Sequence, residues 1–261
     1  MKIKKHIKKL IHAIGYDIRP LKSANANTRK IRTTIGESYA LIKSLGFQPK
    51  TILDVGVASG TPELYKVFPE CYFLLIEPLK EFEADLKNIL GQYNGSYVLA
   101  AAGPRSGQVT FNVHKNHLVG SSLHKETMGG EADGYEAIVP MVRIDDILIE
   151  KKLEGPHLLK IDVQGAELAA LEGAQKTLLE TEVVVLEVSL FEFMVGAPQF
   201  YEVINYMKEH GFVTYDIIPS WNRPLDNALG QVDIVFVKEA GMFRRNHSYS
   251  TDEQMKSILG S

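Results

Sequence analysis

The chain has 261 residues, 45% hydrophobic and 23% charged, room for one sizeable α/β domain with appendages. That balance excludes disordered, collagen-like and membrane-spanning classes, and the single cysteine, Cys71, excludes an internal disulfide and gives an oxidising compartment no support. The net charge of −3 is unevenly placed: residues 1–35 hold ten Lys and Arg against Asp17 alone (+9), and the remainder nineteen against thirty-one acidic residues (−12).

The basic arm lacks the continuous apolar core of a signal peptide, so export by that route is not expected and a cytoplasmic location is. Ile3, Ile7, Leu10, Ile11 and Ile14 recur at helical spacing with lysines between them. Residues 1–16 therefore predict a short cationic amphipathic helix. It suits peripheral contact with the inner face of an anionic membrane, packing on the body, or a homodimer contact. Nucleic acid is not expected, because the body is acidic and has no basic stripe with interleaved aromatics.

Past the arm, residues 36–50 predict a helix ending near Gly46, and 51–55 a strand. The loop 56–61 leads into a helix with Pro62 in its first turn. Strand 72–76, helix 80–90 and strand 96–101 follow. Strand alternating with helix means a parallel sheet. Gly103, Pro104 and Gly107 mark a turn before strand 109–113, and a loop rich in Gly, Ser and His runs to about Tyr135. Strand 137–142 and helix 145–152 lead to a strand from Leu158, a helix at 167–180, strand 183–188 and a helix at 199–210. Strands 213–218 and 232–237 have no helix between them and must pair antiparallel. The expected domains are an arm (1–35), a catalytic body (36–239) and a polar tail (240–261). The expected fold is α/β, a single domain with about seven mostly parallel strands, an antiparallel C-terminal hairpin and helices on both faces. A nicotinamide-binding sheet would instead alternate strand and helix in both halves.

Chemistry-bearing residues gather at strand ends. In DVGVASG, Asp54 closes the first strand, and Gly56, Ser59 and Gly60 form a loop where glycine lets backbone approach a ligand before a helix N-terminus. The spacing matches neither the dinucleotide nor the triphosphate loop. Glu77 ends the second strand, where a carboxylate can accept from both hydroxyls of a ribose. LLKIDVQGAEL ends an apolar run with Lys160, Asp162, Gln164 and Glu167, the last reading as a helix cap. Glu187 ends the adjacent strand.

Those residues, taken with IEP at 76–78, LAAAGPRSGQVTF, GSSL at 120–123 and NRPLDNALGQVDIVFV, resemble the FkbM family of S-adenosylmethionine-dependent methyltransferases. The resemblance runs in order from about Thr51 to Val237. The family pattern has Gly-Ala-Asn where this chain has Gly56, Val57 and Ala58. The resemblance implies a Rossmann-like methyltransferase domain in which the loop Gly56–Gly60 cradles the methionine part of the cofactor and Glu77 holds its ribose. It places Ala101 and Ala102 near the adenine, Ser122 of GSSL among the substrate-binding residues, and the acceptor, a hydroxylated small molecule or sugar, at the same sheet edge.

For methyl transfer to oxygen the protein chiefly aligns donor and acceptor, and a base takes the hydroxyl proton. Asp162 is the first candidate, with Lys160 and Gln164 to orient it or the acceptor. Glu187 either binds acceptor hydroxyls or joins Asp162 around a magnesium or calcium ion, the less favoured alternative. Of the loop histidines His114, His117 and His124, the last follows GSSL and is the proton-transfer candidate. Trp221, followed by Arg223, offers a ring for a sugar to stack on. Competing readings are a nicotinamide-dependent oxidoreductase and a non-catalytic membrane- or partner-binding relative.

Overall fold

The computed structural model describes residues 31–129 and 134–259, so the amphipathic helix expected in residues 1–16 lies outside the described residues. The body belongs to a unit spanning Thr33–Ser261. It begins with α1 (Ile35–Ser44), whose N-cap Thr34 accepts from the Glu37 N–H at 3.3 Å. β1 (Thr51–Val55), α2 (Pro62–Val67), β2 (Tyr72–Glu77), α3 (Glu83–Leu90) and β3 (Gly95–Leu99) then alternate. β4 (Ala101–Ala102), β5 (Gly107–Val113) and β6 (Tyr135–Val142) precede α4 (Ile144–Lys151) and β7 (His157–Ile161). α5 (Glu167–Glu172), α6 (Gln175–Leu179), β8 (Thr181–Ser189), α7 (Phe200–Glu209), β9 (Phe212–Asn222), β10 (Leu229–Lys238) and α8 (Asp252–Leu259) complete it.

Seven strands form one sheet in the order β3-β2-β1-β7-β8-β10-β9, parallel as far as β8, with β10 antiparallel to both neighbours. The second half ends in β9 and β10 with no helix between them, which separates this sheet from the nicotinamide-binding arrangement. Strand parity divides the core. Leu53, Leu159, Leu186 and Ile234 face one layer with α4 to α7, whereas Ile52, Leu158, Val185 and Val235 face the other with α1 to α3. On this second face the same parity carries Asp54, Lys160, Asp162, Glu187 and Asp233 toward one end of the strands. Register sets Asp54 beside Lys160 and Glu187 beside Asp233. A row that is apolar through the core turns ionic at the end where the chain leaves β1 toward β2 and leaves β7 toward β8, on opposite sides, the usual ligand crevice of such sheets.

Several expected elements change. The strand expected at 96–101 ends at Leu99, and Ala101–Ala102 crosses into a separate three-stranded sheet, order β4-β6-β5. The helix expected at 167–180 is two helices that meet at Gly173 and Ala174, where Gly173 lies so close to the loop after β4 that an added Cβ would stand 2.1 Å from the Gly103 carbonyl oxygen. The first helix stops at Ser44, and the polar tail contains α8. Among the described residues no helix is long and apolar enough to cross a membrane.

Candidate active site

A cavity of about 910 Å³ opens at the ionic end of the sheet, large enough for a nucleoside-sized group and an acceptor together. Its first half is made mainly of backbone. Gly56 has φ 76°, and a Cβ there would stand 1.8 Å from the Asp162 carbonyl oxygen. The β1 loop can therefore lie against the end of β7 only with glycine at this position. Glu77 Oε2 accepts from the Ala58 N–H and Oε1 from the Leu79 N–H, each at 2.9 Å. Burial raises its carboxyl pKa, and those two N–H bonds oppose the rise. Both oxygens keep a lone pair, and Glu77 lines the cavity with Gly56, Ser59, Gly60, Ala101 and Ala102. A loop backbone, a carboxylate at the second strand end and a small apolar floor have the chemistry to hold S-adenosylmethionine.

Lys160 joins the two halves. Its ammonium lies 3.3 Å from Asp54 Oδ1, 3.4 Å from Asp162 Oδ2 and 3.2 Å from the Gly56 carbonyl oxygen. Burial works against its charge, but Asp54 and then Asp162 outweigh burial and hold its pKa above the usual lysine range. Asp54 is fully buried and its other oxygen accepts from the Tyr65 hydroxyl at 2.5 Å, so it anchors this hub instead of lining the cavity. Lys160 also lines the cavity, so its ammonium is placed both to hold Asp54 and Asp162 and to meet a bound group.

Gln164 ties the carboxylates together. Its amide nitrogen donates to Asp162 Oδ1 and Glu187 Oε2, both at 2.9 Å, and its own φ is 53°. Asp162 lines the cavity with a carboxylate 32% exposed. Burial, followed by the charge of Asp162, pushes Glu187 up to about 9, and burial pushes Glu167 up to about 7. Glu167 accepts from the Val163 and Gly165 N–H groups at 3.1 Å each and does not line the cavity, so it caps the loop. Among the described residues no group of three His, Cys, Asp or Glu side chains is placed to hold a metal ion.

The loop after β5 covers the cavity with Leu118, Val119, Leu123 and Met128, and His117 reaches the lining. Two candidates from this loop are corrected. Ser122 is fully buried, donating to the Gln164 carbonyl at 2.6 Å and accepting from the His124 N–H at 2.9 Å. It braces the loop and does not line the cavity. His124 turns away, its Nδ1 3.0 Å from the Val195 carbonyl oxygen, and does not line the cavity. Trp221 does, stacked on Phe193 with centroids 5.3 Å apart and hydrogen-bonded through its indole N–H to Gln231. Arg223 lies 3.8 Å over the Phe191 ring.

Among the lining residues that sequence reasoning missed, two carry chemistry near the carboxylates. Asp233 sits across from Glu187, its pKa pushed up to about 6 by burial and then by Asp162, against the opposing charge of Lys160. Tyr39 of α1 lines the cavity although only 1% exposed. Tyr39 reads as one more apolar position of an amphipathic helix, and Asp233 as one polar residue in an alternating strand; parity with Glu187 was the available signal.

The family model described as the methyltransferase FkbM domain matches residues 54–214. No curated relative matches the chain. Among solved structures, a precorrin-6y C5,15-methyltransferase from Geobacter metallireducens is 13% identical, covering 80% of this chain and 92% of that one at a TM-score of 0.43. An rRNA methylase from Streptococcus thermophilus is 11% identical over 80% of this chain and 98% of that one, TM-score 0.45. Aeropyrum pernix fibrillarin with natively bound S-adenosyl-L-methionine is 12% identical over 77% of this chain and 74% of that one, TM-score 0.43.

Proposed function

The chain belongs to the FkbM methyltransferase family, whose members use S-adenosylmethionine, and from that premise we propose that it methylates a hydroxyl of a sugar, glycolipid or other hydroxylated small molecule. One observation carries this reading: a single cavity joins the Gly56–Gly60 loop and Glu77 to a partly exposed carboxylate, Asp162. When bound, the cofactor supplies a sulfonium-activated methyl group, and transfer to an oxygen leaves S-adenosylhomocysteine.

The protein's part is alignment and one proton. Gly56, Ser59, Gly60, Glu77 and the alanines at 101 and 102 hold the donor. Asp162 would accept the proton of the acceptor hydroxyl. Lys160 and Gln164 each meet one Asp162 oxygen and so fix the carboxylate's orientation, leaving a lone pair on each for the incoming proton. Leu118 and Leu123 give the cavity an apolar side that would disfavour water, a competing acceptor, next to a bound substrate. Trp221 and Phe193 present a stacked aromatic surface to a sugar ring, and Glu187 and Asp233 accept from its hydroxyls.

Isothermal titration with S-adenosylhomocysteine, followed by labelled methyl transfer from S-adenosylmethionine to fractionated cell extracts, tests the reading. Asp162→Asn should keep cofactor affinity and lower turnover at least ~100-fold, the usual worth of a general base. Undiminished turnover would remove Asp162 from that role, and folded protein that binds no cofactor would end the methyl-transfer reading.

A further inference from the structure

The far half of the cavity carries acidic groups that, among the described residues, form no ion pair, although the charge of Lys160 acts on Asp233 from a distance. Glu187 and Asp233 stand side by side on β8 and β10, and both line it. Lys160 directs its donors to Asp54, Asp162 and the Gly56 carbonyl. Arg223 is held at the mouth by two hydrogen bonds to Asp226, at 2.8 and 2.6 Å. Gln164 covers one Glu187 oxygen and leaves the other open to the cavity.

A second, separate feature points to what fills this space. Tyr39 comes from another layer of the fold, is 1% exposed, and has its phenol pKa raised by burial and then by the charges of Asp54, Asp233, Asp162 and Glu63. Its hydroxyl meets no hydrogen-bond partner among the described residues, and it lines the cavity. Among the described residues the only side of Tyr39 left open is the cavity, so a group bound there is the natural partner of its hydroxyl.

We propose that the acceptor is an amino alcohol, such as an amino sugar, whose ammonium group sits between Glu187, Asp233 and the Tyr39 hydroxyl while its hydroxyl meets Asp162. An ammonium has three donors, and this pocket offers it three acceptors. Burial disfavours charge on the empty carboxyls, and an incoming cation restores it. The cofactor's own amine is the less suitable occupant. β8 and β10 lie two and three strands from β1, which at about 4.8 Å per strand is roughly 10 and 14 Å from the glycine loop. The inference rests on the methyl-transfer reading above and adds the class of acceptor.

The test uses the full chain saturated with S-adenosylhomocysteine, titrated calorimetrically at pH 7 with glucosamine, glucose and N-acetylglucosamine. Glucosamine should bind at least about tenfold tighter than either neutral sugar, as expected of a desolvated charge contact. Glu187→Gln and Asp233→Asn should each remove most of that preference while leaving S-adenosylhomocysteine affinity unchanged. Equal affinities, or no binding of any of the three sugars, would overturn the proposal. So would variants that weaken S-adenosylhomocysteine instead, since the acidic pair would then serve the cofactor's amine. If a variant does not fold, the comparison of sugars on the unaltered chain still decides. Failure of S-adenosylhomocysteine itself to bind would bring down the methyl-transfer reading, and this inference with it.

Discussion

The two halves of the cavity are built from different material. Around β1, β2 and the start of α2 the wall is mainly backbone, shaped by Gly56 and stapled by Glu77 to the Ala58 and Leu79 N–H groups. Around β8, β9 and β10 it is mainly side chains, a carboxylate row and an aromatic ledge brought together from distant segments. A backbone wall fixes one ligand shape and tolerates little change in conformation. A side-chain wall can be rewritten residue by residue, and so suits the partner that varies. The first half should therefore fail when its conformation is disturbed, and the second should respond to charge and surface.

The largest effect should come from Gly56→Ala. The new Cβ would lie 1.8 Å from the Asp162 carbonyl oxygen, at a φ of 76° that alanine resists. Backbone on both sides must move, a cost of more than about 4 kcal/mol, comparable with the whole stability of many domains. Urea unfolding and S-adenosylhomocysteine titration read it out. A stable variant with full cofactor affinity would show that this wall is not set by backbone.

That division also explains what was legible in the sequence. The backbone half is written in contiguous stretches, DVGVASG and IEP, where glycine and a strand-ending carboxylate mark positions on their own. The side-chain half depends on register, so Asp233 acquires meaning only beside Glu187 and Tyr39 only once α1 is laid on the sheet. Ser122 and His124 misled because GSSL braces a loop through hydrogen bonds to Gln164 and within itself, a role indistinguishable in sequence from substrate contact. The seven-stranded sheet followed from alternation and a helix-free ending. The second sheet did not, since the apolar run through Ala101 shows no sign that the chain leaves one sheet at Leu99 and enters another.

Next in size is the response of the side-chain half to pH. Glu187, Glu167 and Asp233 are pushed up to about 9, 7 and 6, so the folded state holds protons that the unfolded chain has lost above about pH 4.5. Where the native state binds more protons, stability falls as pH rises. From pH 6 to 9 the loss should be on the order of 3 kcal/mol, mainly through Glu187, and Glu187→Gln should flatten that slope. Urea midpoints at pH 6, 7.5 and 9 measure it. An unchanged slope in the variant would place the titration elsewhere.

Trp221→Ala should act on affinity more than on folding, because the ring is 41% exposed yet stacks on Phe193. Losing an aromatic platform should raise the KM for the acceptor about tenfold and cost the fold about 1 kcal/mol. Cofactor affinity should not change. If S-adenosylhomocysteine binding weakens as much as the acceptor KM rises, the two halves of the cavity are not separable.

The smallest effect tests the backbone half from the opposite side, by relieving it. Ala58 has φ 46°, a left-handed conformation that costs an L residue with an ordinary side chain about 1 kcal/mol or more. Asparagine tolerates that region better, and it is the residue the family pattern carries at this place. Ala58→Asn should therefore stabilise the protein by about 1 kcal/mol, a rise in Tm of about 2–4 °C, with the N–H bond to Glu77 kept. Ala58→Gly accepts the same conformation, but loses part of the gain to the greater freedom of the unfolded chain, so it should fall between alanine and asparagine. That order, Asn above Gly above Ala in melting temperature with cofactor affinity no weaker, is what a wall governed by backbone conformation requires. A fall in Tm for both variants would mean that the Ala58 methyl group, through its packing in the loop, contributes more than the strained backbone costs.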